Sequence, residues 1–198
     1  DRRHILANIQ NIRSTIKDAP NVYLLHGDLT PDEMNGLYNY SKVKAHISFT
    51  KGEGYGRPLL EASISGKPVI ASAWSGQLDF LHPDFTTLLP GDLKDVHRSA
   101  QWKGLINAGS KWFYVNYAIA EKVMRDVYGN YGRYKVLAEK QATHSVDNFS
   151  IEKMNTDFAN LINTYISFKP TPTQVKLQLP KLKKSINNAI NLPKLKKI

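Results

Sequence analysis

The chain has 198 residues, a formal net charge of +10 at pH 7 and no cysteine. This length is sufficient for one domain with a buried core, followed by a tail. The absence of cysteine excludes disulfide bonds and thiolate metal sites, and no apolar run approaches the roughly 20 residues of a membrane-spanning helix. We therefore expect a cytoplasmic protein, alone or within a larger assembly.

The positive charge is concentrated near the end of the chain. Residues 167–198 contain eight lysines and no acidic residue, which leaves 19 basic and 17 acidic residues, a charge of +2, in residues 1–166. Nucleic-acid binding by the body of the protein is therefore not expected.

The predicted elements begin with a helix, a strand and a second helix. Isoleucines at positions 5, 9, 12 and 16 have helical spacing, and residues 21–25 (NVYLL) have the composition of a strand that ends in a loop. Thr30, Pro31 and Glu33 then form the pattern of an N-cap, a first-turn proline and a capping-box acid, which predicts a helix as far as about Tyr40.

Strands and helices continue to alternate as far as residue 90. Apolar runs predict strands over residues 44–50, 68–73 and 86–90, and helices are predicted over residues 58–65, ending before Gly66, and 75–81. Short connections between continuously apolar strands favour a Rossmann-like α/β fold, a parallel sheet with helices on both faces. Ligands of such sheets bind beyond the carboxyl ends of the strands.

The rest of the body is predicted to be helical from Lys111 onward, while residues 91–110 stay unassigned. Apolar stripes and helix-forming composition predict three helices, over residues 112–127, 132–146 and 151–165. An aromatic group lies in the first of them and has two interpretations, a stacking surface for a sugar or core packing, of which helical spacing favours the core. Its members are Trp112, Phe113, Tyr114 and Tyr117.

The stretch KGEGYGRPLLE, residues 51–61, carries the features of a binding site. Three glycines between a strand and a helix allow close approach of the backbone, and free N–H groups at the start of a helix favour an anion such as phosphate. Glu53 and Glu61 flank this turn, and a carboxylate accepts hydrogen bonds from sugar hydroxyls. The glycine spacing matches neither the dinucleotide fingerprint nor a P-loop. The alternative is a tight connection with two solvated glutamates.

Residues 53–72, EGYGRPLLEASISGKPVIAS, resemble the E-x7-E segment of retaining GT-B glycosyltransferases, especially the family-four group. Residues 21–50 are similar to the strand, helix and strand that precede this segment, and WSGQLDFL stands where the family has a Gly-Gly-x-x-Glu turn. The resemblance covers about residues 1–166. It implies the C-terminal, nucleotide-sugar-binding half of a GT-B fold.

The resemblance also implies roles for individual residues. Glu53, the catalytic-site residue, would contact hydroxyls of the donor sugar, Glu61 would hold the ribose, and amides would face the sugar and diphosphate. Arg57 is either a phosphate contact or a solvated charge, and Asp79 corresponds only loosely to the family's glutamate. The remaining expected donor-binding residues are Gly54, Tyr55, Gly56, His26, Gly27, Ser75 and Gly76.

The implied activity is glycosyl transfer with retention of configuration, without a metal or another cofactor. The family's diphosphate-binding basic pair and the acceptor-binding Rossmann domain would lie upstream. We therefore expect residues 1–166 to be part of a longer enzyme and to be inactive alone. A non-catalytic structural or docking module in a larger assembly is the alternative.

The tail, residues 167–198, is expected to be a separate proline- and lysine-rich segment. It contains LPKLKK twice, at 179–184 and at 192–197. A repeat without acidic residues favours a docking arm for a protein partner over core structure, with an anionic membrane surface as an alternative and nucleic acid less favoured. A disordered, solubilising extension is the other alternative for this segment.

Overall fold

The computed structural model describes residues 2–166, which form a mixed α/β structure. Asp1–Phe158 belong to one compact unit, and the end of the last helix, from Ala159, belongs to a second. The predicted tail, residues 167–198, lies outside the described residues. Among the helices of residues 2–166, none has the length and apolar character needed to cross a membrane.

The described chain contains α-helices, β-strands and two short 3-10 helices, at Gly76–Asp79 and Arg98–Ala100. The helices are α1 (Arg2–Ser14), α2 (Pro31–Asn39), α3 (Arg57–Ile64), α4 (Tyr117–Gly129), α5 (Tyr131–Phe149) and α6 (Ile151–Tyr165). The strands are β1 (His46–Ser48), β2 (Val69–Ser72), β3 (Thr87–Leu89), β4 (Gly91–Asp95) and β5 (Lys111–Val115).

A parallel sheet in the order β1-β2-β3 forms the centre of the fold. All four residues of β2 are buried, because side chains of a strand alternate between its two faces and both faces are covered here. Val69 and Ala71 pack with Leu59 of α3, whereas Ile70 packs with Leu89 and with residues of β5 and α4. The predicted parallel sheet is therefore confirmed for three strands.

Two of the predicted helix boundaries are confirmed in detail. The Glu33 amide donates to Thr30 Oγ1 at 3.3 Å, and the Thr30 amide donates to Glu33 Oε2 at 2.8 Å, which completes the capping box at the start of α2. Gly66 has φ +63° just beyond α3, a conformation that glycine adopts without strain.

The predicted strand over residues 21–25 is wrong. This segment forms no strand, and the side chain of Tyr23 is 86% exposed. Residues of high β-propensity form a strand only when their backbone groups pair with a neighbour, and none of the described strands pairs with this segment.

The prediction that only helices follow Lys111 is also wrong. Residues 111–115 form β5, which pairs antiparallel with β4, so that Phe113 faces Leu93 across the pair. Phe113 and Val115 are buried while Trp112 and Tyr114 are partly exposed, an alternation with period two. Helix α4 begins only after this strand. The later predicted helices, over residues 132–146 and 151–165, are confirmed as α5 and α6.

Candidate functional site

Two loops meet at the carboxyl end of the parallel sheet. The glycine loop, residues 51–56, connects β1 to α3, and the serine turn, residues 73–76, leaves β2 and enters the first 3-10 helix. Because β1 and β2 are parallel neighbours, their carboxyl ends lie at the same edge, where ligands of parallel sheets bind.

Ser75 fixes the backbone of Glu53. The Glu53 amide donates to Ser75 Oγ at 3.2 Å, and the Ser75 hydroxyl donates to the Glu53 carbonyl oxygen at 2.5 Å. The Gly76 amide donates to the same carbonyl oxygen at 3.3 Å. Ser75 has φ +78° and ψ −160°, a strained conformation for a residue with a side chain. The structure therefore brings Ser75 and Gly76 to the predicted site, as supports of the glycine loop.

Gly76 is required by the close approach of the two loops. A Cβ atom at this position would lie 2.3 Å from the Gly54 carbonyl oxygen and 2.8 Å from Tyr55 Cα. The loop ends at Gly56, which has φ +90° and precedes α3, and the Tyr55 ring packs against Phe80 with centroids 5.2 Å apart. The path of the glycine loop is thus set by contacts with the serine turn and the 3-10 helix.

A buried polar network lies beneath the two loops. Gln77 is 0% exposed, and its Nε2 donates to the carbonyl oxygen of Ser72 at 3.0 Å and to Ser72 Oγ at 2.9 Å. Ser72 Oγ lies 3.4 Å from Thr50 Oγ1, at the end of the neighbouring strand. Gln77 Oε1 has no partner among the described residues. Sequence analysis missed this network, although the polar residues Thr50 and Ser72, near the ends of two predicted apolar strands, were a usable signal.

Three successive amides of the glycine loop are unpartnered within the described residues, and of these residues Gly54 and Tyr55 are exposed whereas Gly56 is buried. Within residues 2–166, no acceptor forms a hydrogen bond with the amide of Gly54, Tyr55 or Gly56. These N–H groups precede α3, whose amino-terminal end carries a partial positive charge. The Glu53 carboxylate likewise has no hydrogen-bond or ion-pair partner among the described residues. The arrangement offers donors for an anion beside an acceptor for hydroxyl groups.

Glu61 lies one helical turn into α3 and pairs with Arg57, with 3.2 Å between Arg57 Nε and Glu61 Oε1. The Arg57 side chain is otherwise 81% exposed, so the structure places this predicted donor-binding residue beside Glu61. Both residues line a cavity of about 330 Å³ between α2 and α3. Its other lining residues are Leu29, Pro31, Met34, Asn35, Tyr38 and Ile64.

Tyr38 lines both of the cavities that contain the two glutamates. It lines the Glu61 cavity and also a cavity of about 230 Å³ that Glu53 and His46 line. Burial raises the pKa of the Tyr38 hydroxyl, and the negative charge of Glu61 raises this pKa further. Burial also lowers the pKa of His46, with a smaller contribution from the positive charge of Lys67. No sequence pattern identified Tyr38, because its position depends on how α2 packs against α3.

Other predicted residues have no observed hydrogen-bond contact with the glycine loop within residues 2–166. His26 and Gly27 lie in an exposed connection before α2, and no hydrogen bond between described residues joins either one to the glycine loop. Asp79 is exposed on the 3-10 helix. Within residues 2–166, no cluster of three or more histidine, aspartate or glutamate side chains is arranged to hold a metal ion.

Comparison with protein-family models found no match, and comparison with curated proteins found none either. The function is therefore inferred from the residues and geometry of this chain.

Proposed function

We propose that this chain is the donor-binding part of a retaining, metal-independent glycosyltransferase and that it binds a nucleotide-diphosphate sugar. The observation that carries the proposal is the set of three amides without an acceptor among the described residues, at Gly54, Tyr55 and Gly56, which follow Glu53 and precede Glu61 in the sequence. A ligand with phosphate groups between a sugar and a ribose would use all of these features.

The diphosphate would lie on the glycine loop, where free amides and the start of α3 favour negative charge. The donor sugar would then extend toward the Glu53 carboxylate, which accepts hydrogen bonds from its hydroxyl groups. The nucleoside would occupy the cavity beside Glu61. Its volume of about 330 Å³ is within the usual range for small-molecule sites, and apolar residues such as Leu29 and Met34 can contact a base.

In this proposal Glu61 serves two partners. A carboxylate has about four positions that accept hydrogen bonds, so the ion pair with Arg57 leaves capacity for the two ribose hydroxyls. The pair also orients the Glu61 side chain before a ligand arrives. Arg57 therefore supports ribose recognition rather than contacting phosphate itself.

The contribution to catalysis would be positioning of the donor and stabilisation of the departing diphosphate. An acceptor site is expected from a further domain of a longer protein. We therefore expect no measurable glycosyl transfer by this chain alone. Turnover by the purified chain with a nucleotide-sugar and a panel of simple acceptors would contradict that expectation.

The test of donor binding is a thermal-shift titration with UDP-, GDP- and ADP-sugars. A ligand that binds only the folded state at a hundred times its Kd adds about 2.7 kcal/mol to the free energy of unfolding, which raises the midpoint by several degrees. The shift should disappear in Glu61→Ala. Glu121→Ala is the matched control, because Glu121 forms the same kind of exposed ion pair, 2.9 Å from Arg125.

A docking module without catalytic activity is the second candidate function. It is favoured by the apolar residues of α1, which are exposed in the described structure, among them Ile12 at 60%. A flat response of the wild-type chain to every nucleotide-sugar, with folding verified, would count against the donor site and favour this candidate. The predicted partners of residues 167–198 are unaffected by either result.

A further inference from the structure

We propose that Lys51 supplies a cation that binds the phosphate groups of the ligand at the glycine loop, in addition to the basic pair expected upstream. This inference rests on the proposed function, since it names a residue that neutralises the ligand's diphosphate. The argument uses the position of Lys51, the surroundings of its ammonium group and the absence of a carboxylate partner among the described residues.

Lys51 begins the glycine loop and lies two residues before Glu53. Its carbonyl oxygen accepts a hydrogen bond from the Phe113 amide at 3.0 Å, so β5 runs directly beside the start of the loop. Phe113 also stacks on Trp74, with ring centroids 5.9 Å apart, and Trp74 belongs to the serine turn. Phe113 therefore links the backbone of Lys51, in the glycine loop, to the serine turn.

Two aromatic rings of β5 hold the Lys51 side chain. Its Nζ lies 4.3 Å from the ring centroid of Trp112 and 4.8 Å from that of Tyr114. Contact with two aromatic faces reduces the freedom of a long side chain, and it leaves N–H donors of the ammonium for another partner. An ammonium that is already ordered loses less entropy when it binds an anion.

The other basic groups near the site are less suited to this role. Arg57 forms its ion pair with Glu61. The Lys94 ammonium, on β4, lies 5.8 Å from the centroid of the Tyr114 ring on β5. No carboxylate among the described residues forms an ion pair with Lys51. Arg57 is closer in sequence to these amides, but its charge is paired with Glu61, whereas Lys51 has no such pair among the described residues.

The outward-facing aromatic residues of β5, Trp112 and Tyr114, have a role in this proposal. Trp112 and Tyr114 hold the Lys51 ammonium, whereas Phe113 and Val115, on the other face of the same strand, belong to the core. The core interpretation of the aromatic group thus applies to Phe113. Neither of the two outward rings needs to stack on a sugar for this proposal.

The test is a titration of the full ¹⁵N-labelled chain with inorganic pyrophosphate, without divalent cations, followed by amide chemical shifts. A residue-resolved measurement separates the glycine loop from nonspecific binding at the lysines of residues 167–198. We expect the amides of Gly54, Tyr55 and Gly56 to shift in the wild type. In Lys51→Gln the affinity reported by these amides should fall about tenfold, as expected for loss of a charged hydrogen bond.

Three further variants sharpen the result. Lys140→Gln removes the same charge from an exposed position on α5 and should leave the affinity unchanged. Lys51→Arg should retain most of it, and Trp112→Leu should weaken it less than Lys51→Gln does, because the charge remains. Lys51 is exposed, so its substitution is compatible with folding, and the shifts of core amides verify this.

The possible failures are distinguishable. If the loop amides titrate equally in Lys51→Gln and in the wild type, the role of Lys51 is overturned while the proposed anion site stands. If the loop amides of the wild type do not respond to pyrophosphate, the anion site fails, and the proposed function and the role of Lys51 fail with it.

Discussion

Residues 2–45 and residues 56–145 both contain many apolar side chains, but they differ in what covers those side chains. All buried residues of the described chain lie between positions 56 and 145, and none lies in residues 2–45. In the second region β2 has neighbours on both sides and on both faces. In the first, α1 and residues 21–25 expose apolar side chains that the described chain does not cover.

The difference matters for the site because the site lies on the border between the two regions. Glu53 is held by the serine turn, which follows a fully buried strand. The Glu61 cavity has one wall on α3 and the other on α2, a helix without buried residues. We infer that the glycine loop, proposed to bind diphosphate and sugar, is more rigid than the proposed nucleoside cavity, since packed elements open less often than exposed ones.

The largest expected effect comes from deleting a core side chain in the packed region. Leu89 is 0% exposed, and Leu89→Ala should lower the free energy of unfolding by about 2–5 kcal/mol through lost burial and a new cavity. Ile12→Ala is the matched change in α1 and should alter this free energy by less than about 0.5 kcal/mol. Urea denaturation measures both values. A loss above about 2 kcal/mol for Ile12→Ala would show that α1 is covered in solution and would remove the contrast.

The next effect concerns the contact between the two loops of the site. In Gly76→Ala the added Cβ meets backbone atoms of Gly54 and Tyr55, so the loops must separate. We expect a loss of roughly 1–3 kcal/mol in the free energy of unfolding, as for other overpacked sites, together with loss of nucleotide-sugar binding.

Gly36→Ala is the control for this change. Gly36 lies in α2, and a Cβ atom there meets nothing within 4 Å. Because alanine favours a helix more than glycine does, this variant should be more stable than the wild type by roughly 0.5–1 kcal/mol. Equal stability of Gly76→Ala and Gly36→Ala would contradict the close packing described for Gly76.

The elements predicted correctly from sequence are those whose signals are local. The capping box of α2, Gly66 beyond α3 and the apolar composition of β2 are each readable within a few residues. The two errors, at residues 21–25 and 111–115, concern pairing with distant segments. A strand requires a partner strand. A short window of sequence shows neither that residues 21–25 lack a partner among the described strands nor that residues 111–115 pair with β4.

The same distinction applies to the candidate site. Glu53, the glycines and Glu61 are contiguous in sequence, so a turn followed by a helix necessarily brings them near one another. The support of Glu53 by Ser75 and the contact between Thr50 and Ser72 beneath it each join residues 22 positions apart, and only the structure reveals them. The strand expected to position His26 does not form, and its role in the site stays a prediction.

A smaller effect is expected from Ser75, which separates hydrogen bonding from backbone strain. Ser75→Ala removes both hydrogen bonds to the Glu53 backbone but keeps a side chain at φ +78°, so it should lower the free energy of unfolding by about 1–2 kcal/mol. Ser75→Gly also removes the hydroxyl but relieves the strain, and it should be the more stable of the two variants.

Hydrogen exchange at the Glu53 amide reports the contact itself. Faster exchange is expected in both variants, since each lacks the acceptor for this amide. Unchanged protection of Glu53 would contradict the role of Ser75 as a support of the loop. If Ser75→Ala is as stable as Ser75→Gly, only the backbone strain inferred for Ser75 is contradicted.

The smallest effect is a change in how stability depends on pH, at the edge of the sheet where the two regions meet. His46 has its pKa lowered from the ordinary value of 6.5 by burial and by Lys67. Above both the unfolded and the folded pKa the histidine is neutral in either state. As the pH falls through 6.5, the unfolded chain binds the proton first, so the free energy of unfolding decreases until the folded pKa is passed. Urea denaturation at about pH 7.5 and about pH 5.5 should therefore give a smaller loss of unfolding free energy between these pH values for His46→Gln than for the wild type.

His4→Gln, on the exposed α1, is the control and should show the same loss of unfolding free energy as the wild type. An equal loss of unfolding free energy in His46→Gln and the wild type would mean that His46 is less buried in solution than described. The packed region would then not include β1.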